Sequence, residues 1–177
     1  MNIMAYLSFN FMIYSFIGWI IEEIYSLIVS EKFQKEGFLI GPFKPMYGIT
    51  LIFLIICNQI LGIDGIPSIL LCFLIPTTVE YISGYMLKHI FNKIYWDYSD
   101  LRYNIHGFVT LKFSLYWTLL SFIGIYFFQN VLYNFYIEKK IFIDTAVLIG
   151  FTVLVIDLSL TLKKYHIKGS KMIVDKR

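Results

Sequence analysis

The chain has 177 residues, 58% of them hydrophobic and 15% charged, with a formal net charge of +3 and a mean hydropathy of +0.70. Soluble domains run at roughly 45–50% apolar and roughly 25% charged. A soluble domain of this length has too little interior to hide the excess, which includes 17 Phe and 14 Tyr. A charge of +3 is too small to imply nucleic acid, and the surroundings this composition calls for are a lipid bilayer.

A helix needs about 20 apolar residues to cross the hydrocarbon core. The first such stretch runs from Met4 to Val29 and is interrupted, among ionisable residues, only by Glu22 and Glu23. It lacks a basic leader and is too long for a cleavable signal, so it reads as a retained span. Helical steps from Glu22 pass Gly18, Ser15 and Ser8 in one direction and Ser26 in the other. Such a stripe of small and polar residues packs against a neighbouring helix. Glu23 points about 100° away, near Trp19 and the headgroups, which makes Glu22 the expected inward carboxylate.

Residues 37–48 are apolar yet hold three Gly and two Pro. Proline resists a helix interior and glycine permits tight turns. Irregular backbone at membrane depth survives only under cover of protein or a watery cavity. The segment is therefore expected to be a re-entrant or interfacial loop against the bundle. A second, short span is expected from Met46 to Leu61 and a third from Pro67 to about Met86. The third carries Glu80 at mid-membrane, with Thr77 and Gly84 on its face and a kink expected at Pro76.

Residues 91–110 mix aromatic and charged groups in a way that suits the headgroup interface, with Ser99 or Asp100 placed to cap a turn. The fourth span is expected from Phe113 to about Tyr133. The fifth runs from Ile141 to Leu162 and carries Asp157, with Gly150 and Thr161 near its face. The fold class is thus all-α, a polytopic helical membrane protein of about five spans. Residues 1–162 form one transmembrane domain, and 163–177 form a basic tail.

With five spans, alternate loops share a side. One side collects thirteen Lys and Arg, and the other only Lys139 and Lys140. Basic residues accumulate on the cytoplasmic side, which places the N-terminus outside and the C-terminus in the cytoplasm of a multi-pass cell-membrane protein.

A charged side chain at a helix centre costs about 2.5–3.5 kcal/mol on insertion scales, so Glu22, Glu23, Glu80 and Asp157 each need a reason. Lys44, Lys88, Arg102 and Lys112 are candidate cationic partners on the same side, with His106 titratable there. Together these groups predict a polar cavity opening to the cytoplasm, and a structural ion-pair network that only fixes helix packing is the competing reading. Cys57 and Cys72 lie in apolar runs without a CxxC partner. The three histidines lack metal-ligand spacing, and neither a nucleotide-binding P-loop nor a nucleophile elbow is present. No cofactor and no catalytic centre are expected.

The order of motifs resembles one bacterial family. Residues 14–22 read Tyr-Ser-Phe-Ile-Gly-Trp-Ile-Ile-Glu, 37–42 read Gly-Phe-Leu-Ile-Gly-Pro, and 45–48 read Pro-Met-Tyr-Gly. Glu80-Tyr81, Trp96-Asp97-Tyr98-Ser99 and Asn104-Ile105-His106-Gly107 follow at the family's spacing. Together they resemble the putative ABC-transporter type IV family over about residues 8–125. The resemblance implies a transporter permease whose characteristic positions include Glu22, Tyr47, Glu80, Trp96, Asp97 and Asn104. It also implies an ATP-binding subunit as partner, since the chain has no nucleotide site of its own, and it is compatible with a homo-oligomer. Two departures stand out. Lys35-Glu36 replaces the family's Asn-Arg, and Phe108 replaces an Arg. Any anion-binding role those basic groups have in relatives would fall here to Lys44 or Arg102. Two other readings stay open: a non-catalytic scaffold or sensor, and an enzyme acting on a lipid-linked substrate with Asn104, His106 and Tyr98 as acid–base groups.

Overall fold

The structure, a computed structural model, describes residues 2–33 and 37–174, with side chains described as far as Tyr165. Helix α1 spans Ile3–Ser30, and Asn2 caps it by accepting the amide of Met4 at 3.1 Å. Helix α2 spans Pro45–Ile55 and continues through one π-helical turn, Ile56–Ile60. Helix α3 spans Gly65–Phe91, opened by Asp64, whose carboxylate accepts the Gly65 amide at 2.7 Å, and closed by Asn92 in the left-handed region. Two short strands, β1 (Asn104–Ile105) and β2 (Val109–Thr110), form an antiparallel pair before helix α4, Leu111–Glu138. A second π-helical turn, Gly124–Phe128, lies inside α4. Helix α5 spans Lys140–Val174 after a tight break at Lys139.

The fold is all-α and polytopic. Helices α1, α3 and α4, with α5 over Lys140–Tyr165, are long and apolar enough to cross a membrane. Between 11% and 28% of each span's most apolar window is buried within the bundle, so most of its apolar surface faces outward, as lipid requires. The second apolar helix is the exception in length. Its sixteen residues, Pro45–Ile60, rise about 24 Å at 1.5 Å each, short of the roughly 30 Å hydrocarbon core.

The Gly/Pro loop leads into this shorter helix from inside the bundle. The Lys44 amide donates to the Ser15 carbonyl at 2.9 Å, and Ser15 lies near the middle of α1. Residues 37–44 therefore enter the bundle beside the second half of α1, and α2 starts at mid-depth. Two glycines make the crossing of α1 and α2 close. A Cβ on Gly18 would fall within the Tyr47 ring, and one on Gly48 would meet Ser15 Oγ and the backbone oxygen of Phe11. Small residues at a helix crossing let backbones approach in this way. Pro76 sits inside α3, where it removes one backbone donor.

The end of the bundle away from the loop is held by aromatic and aliphatic packing around Tyr6, Phe9, Leu54, Ile55 and Tyr136. Inside it runs a polar network. Gln129, fully buried, donates to Tyr6 Oη and Asn10 Oδ1, both at 2.8 Å, and accepts from Tyr14 Oη at 2.8 Å. Tyr6 donates onward to Gln59 at 2.9 Å. Asn10 donates to the Tyr6 carbonyl at 2.8 Å, and Tyr14 also reaches the Gly124 carbonyl at 3.1 Å. These groups satisfy one another, and two of them sit beside the π-helical turns, where a helix has loosened backbone groups to offer.

The basic tail expected from 163 onward continues α5 as backbone helix to Val174. The side chains beyond Tyr165, and with them most of the tail's charges, lie outside the described residues.

Candidate functional site

Four elements meet at mid-depth toward the loop end. From α1 comes Glu22, from the loop Lys44, from the start of α2 Tyr47, and from α3 Glu80. Tyr98, in the segment after α3, and Trp117, on α4, complete the group. Lys44 Nζ pairs with Glu22 Oε2 at 2.5 Å, with both side chains largely covered. Glu80 is 2% exposed. Its Oε1 accepts from the Tyr98 hydroxyl at 3.1 Å, and its Oε2 has no hydrogen-bond partner. The Trp117 indole lies beside it, and its N–H is likewise buried without an acceptor. The Tyr47 hydroxyl, close to Glu22, Glu80 and Tyr98, is a third buried polar atom without a partner. The rings of Tyr47 and Trp117 meet edge to face at 5.2 Å. Buried polar atoms are nearly always hydrogen-bonded, so three unpartnered ones in one place form an unusual concentration.

Tyr98 lies outside the spans but reaches into this cluster. Its ring stacks on Phe113 at 4.7 Å. Burial pushes its phenol above the ordinary value, and the neighbouring Glu80 carboxylate adds to the shift. Tyr98 therefore acts as a hydrogen-bond donor to Glu80 over the whole physiological range.

Toward the opposite end, Tyr47 and Trp117 form one wall of a cavity of about 120 Å³ between α1, α2, α3 and α4. The lining is almost wholly apolar, from Ile17 and Ile21 on α1, Leu51 on α2 and Leu120 on α4. Glu80 does not line the cavity.

Asp157 occupies a different place. Its two oxygens accept the Ile40 and Gly41 amides at 3.0 and 2.8 Å, clamping the re-entrant loop to α5. A Cβ on Gly41 would sit 2.9 Å from that carboxylate, which is why glycine suits the position. The loop is tied a second time by Tyr95, whose hydroxyl reaches the Gly37 carbonyl at 3.2 Å and the Tyr165 hydroxyl at 2.7 Å.

Trp96, Asp97, Asn104 and His106 gather in the segment between α3 and α4. Trp96 Nε1 donates to the Phe108 carbonyl at 2.8 Å. Asp97 Oδ1 accepts from the Ser99 amide and hydroxyl at 2.9 and 2.6 Å. Asn104 donates to the Leu101 carbonyl at 2.7 Å and accepts the Gly107 amide at 3.1 Å. Gly107 has φ +73°, and a Cβ there would meet Asp97 Oδ1 and Ser99 Oγ, so two reasons demand glycine. His106 Nδ1 and the Tyr81 hydroxyl are hydrogen-bonded at 2.9 Å. These bonds build a rigid cap that delivers Tyr98 to Glu80. Arg102 is exposed on the cap, holding it through its carbonyl, which accepts from Thr110 at 3.0 Å. Of the residues singled out from sequence, Glu22, Lys44, Tyr47 and Glu80 come together; Asp157 anchors the loop, and Trp96, Asp97, Arg102, Asn104 and His106 belong to the cap.

Several features depart from or add to the sequence reading. Glu23, expected near the headgroups, is 7% exposed and partnered, and it is the more buried of the adjacent pair. The helix turns it toward protein while Glu22 reaches the loop lysine. Phe108, in place of the family's arginine, is buried against Gly84 with Lys88 Nζ 5.4 Å from its ring centroid. Lys35-Glu36, the other departure, lies outside the described residues. Trp117 and the Asn10–Gln129 network carried no ionisable signal and went unnoticed.

The Ser99 bonds to Asp97 hold its carboxyl below the ordinary value. For a group whose folded value is depressed, the added stability is present above the unfolded pKa, about 3.9, and is lost as pH falls through the folded value. Cap order, read as protection of the Ser99 and Gly107 amides from hydrogen exchange, is expected to hold at neutral pH and to drop in this acid window. Asp97→Asn is expected to flatten the response.

A bundle of outward-apolar helices around a re-entrant loop and a buried polar cluster defines the chain as a polytopic helical membrane protein. The family model for putative ABC-transporter type IV matches residues 9–162, and the chain belongs to that family. No solved structure matches it.

Proposed function

We propose that the chain is the membrane-spanning component of a transporter, and that Glu22, Lys44, Tyr47, Glu80 and Tyr98 form its solute- or proton-handling site, open toward the cytoplasm. The observation that carries this is Glu80: a carboxyl 2% exposed, bonded on one oxygen, orphaned on the other, with no ion pair among the described residues. An intramembrane ionisable group is expensive, and its presence is by default a functional sign. A carboxylate kept only to lock helices would have both oxygens matched, as those of Asp157 are.

The sidedness follows from charge. The end carrying the Gly/Pro loop and the cap also carries Lys44, Lys88, Lys93, Arg102 and Lys112, and such residues mark the cytoplasmic face. The transmembrane domain is residues 1–162 in this reading, with the basic tail beyond it. Without a P-loop the chain cannot bind ATP by that route, so an ATP-driven cycle requires a separate ATP-binding subunit docked on this face. The chain itself does no bond-making chemistry in this scheme.

Single-cysteine variants, made after replacing Cys57 and Cys72, test the arrangement. Arg102→Cys is expected to react with a membrane-impermeant maleimide only in inside-out vesicles, and Leu61→Cys only in intact cells. Tyr98→Cys, at the mouth of the site, is expected to react with a small methanethiosulfonate from the cytoplasmic side. Reversed sidedness, or a Tyr98→Cys reachable only from outside, contradicts the proposal.

A further inference from the structure

Helices α1 and α4 touch at two levels and part between them. Near the cap the rings of Tyr25 and Phe113 meet edge to face at 6.2 Å. Toward the far end Tyr14 Oη reaches the Gly124 carbonyl at 3.1 Å. Tyr14 and Tyr25 stand eleven positions apart on α1, as Phe113 and Gly124 do on α4, so the two contacts lie about 16 Å apart along the helices. Between them the cavity of about 120 Å³ separates Ile17 and Ile21 of α1 from Leu120 and Ser121 of α4. Its floor includes Thr50 and Leu51 of α2, which are 6% and 7% exposed. Two other lining residues, Leu120 and Phe128, are 37% and 54% exposed. The cavity therefore has a mouth on the outer surface of the bundle, beside α4.

The lining selects hydrocarbon. The Thr50 hydroxyl is turned back to the Met46 carbonyl at 2.8 Å, and the Tyr14 hydroxyl is engaged by Gly124 and Gln129. Tyr47 and Trp117 also line the cavity, but the hydroxyl of one and the indole N–H of the other have no accessible surface there. Water needs two to four polar partners to occupy a cavity, and an apolar one of about 150 Å³ stays dry and takes up benzene. The medium at the mouth is fixed by the fold. Both flanking helices are long and apolar enough to span a membrane, and Leu119, next to the mouth on α4, is 58% exposed. What stands outside is the acyl interior of the bilayer.

We infer that an acyl chain of a bilayer phospholipid lodges in this cavity, entering sideways between α1 and α4 and ending against Thr50 and Leu51 of α2. The site is separate from Glu80, and the inference does not rest on the transport reading. It differs from ordinary lipid contact in one checkable respect: the chain reaches a helix face that lies behind two others.

The test uses the full chain, deuterated except for ¹³C-labelled Leu and Thr methyl groups, in phosphatidylcholine nanodiscs. Nuclear Overhauser effects are read from lipid chain methylenes to the protein methyls. Leu119, on the lipid face, and Leu120, at the mouth, are expected to show strong cross-peaks. Leu54, buried in the core and absent from the lining, is expected to show none. Thr50 and Leu51 are expected to show cross-peaks that disappear when the lipid chains are deuterated. Ile17→Phe and Ser121→Leu fill the cavity from its two sides. Either is expected to weaken the Thr50 and Leu51 cross-peaks at least threefold and to leave that of Leu119 unchanged. The inference is overturned if Thr50 and Leu51 are as silent as Leu54 while Leu119 responds. Cross-peaks that survive both filling variants, or that appear equally at Leu54, overturn it as well. Silence at Leu120 together with Thr50 and Leu51 would mean that another protein surface covers the mouth, and this too contradicts the inference.

Discussion

Gly48→Ala is expected to be among the most damaging single-methyl changes in the chain. The added carbon would lie against Ser15 Oγ and 2.7 Å from both a Phe11 ring carbon and the Phe11 backbone oxygen. A side chain could rotate away, but a helix backbone cannot, so α2 must move off α1. Overpacking typically costs about 1–3 kcal/mol, and backbone contact argues for the upper end. The same motion would carry Tyr47 and Lys44 away from Glu80 and Glu22, so the site is lost with the fold. Thermal unfolding in detergent should show a marked drop in midpoint. Gly18→Ala, whose added carbon would overlap Tyr47 Cγ and lie 2.7 Å from its Cβ, should show a comparable drop, because a Cβ moves only with the α2 backbone. A Gly48→Ala protein as stable as the parent would mean that the two helices do not cross as closely as described.

Asp157→Ala is expected to release the re-entrant loop. Its carboxylate holds two backbone amides, those of Ile40 and Gly41, and hydrogen bonds to a charged group contribute about 1.5–3 kcal/mol each. Their loss leaves both loop amides without their acceptor. The expected destabilisation is about 3 kcal/mol or more, concentrated in residues 37–44. Two measurements separate a local effect from global unfolding. Amide exchange at Ile40 and Gly41 should rise sharply, and a cysteine placed at Ile40 should label faster, while the Asn10–Gln129 network at the other end keeps its protection. Asp157→Asn, which keeps one acceptor, should recover part of the loss. Unchanged exchange at Ile40 in the alanine variant would show that the clamp is not what holds the loop.

These two cases also show what could be read from sequence and what could not. The α1 stripe of Ser15, Gly18 and Glu22 was legible because small residues at helical spacing have one common use in lipid. The re-entrant loop was legible from glycines and prolines in an apolar run, and the Lys44–Glu22 pair from opposite charges on one side of the membrane. The partner of Asp157 was not, because it is backbone: an amide hydrogen carries no residue signature. The burial of Glu23 was not legible, since adjacent helix positions diverge by about 100° and both can face protein once a loop packs there. The Gln129 network was overlooked because uncharged amides and phenols in spans look innocuous beside carboxylates, although unpaired they would also be costly in lipid. The cap residues Trp96, Asp97 and Asn104 stand out in the sequence by their pattern, but only their bonds show that they shape a turn and position Tyr98.

The central claim is that this chain transports, with Glu80 as the working group. The most direct measurement is purification of the tagged chain from its native membranes in mild detergent, with identification of co-purifying proteins and assay of ATP hydrolysis, for the parent and for Glu80→Gln. The account predicts a stoichiometric ATP-binding protein in both eluates, with hydrolysis that depends on this chain and falls at least tenfold in the Glu80→Gln complex while its thermal stability is retained. An eluate without any ATPase or other transporter subunit, or hydrolysis indifferent to Glu80, would contradict it.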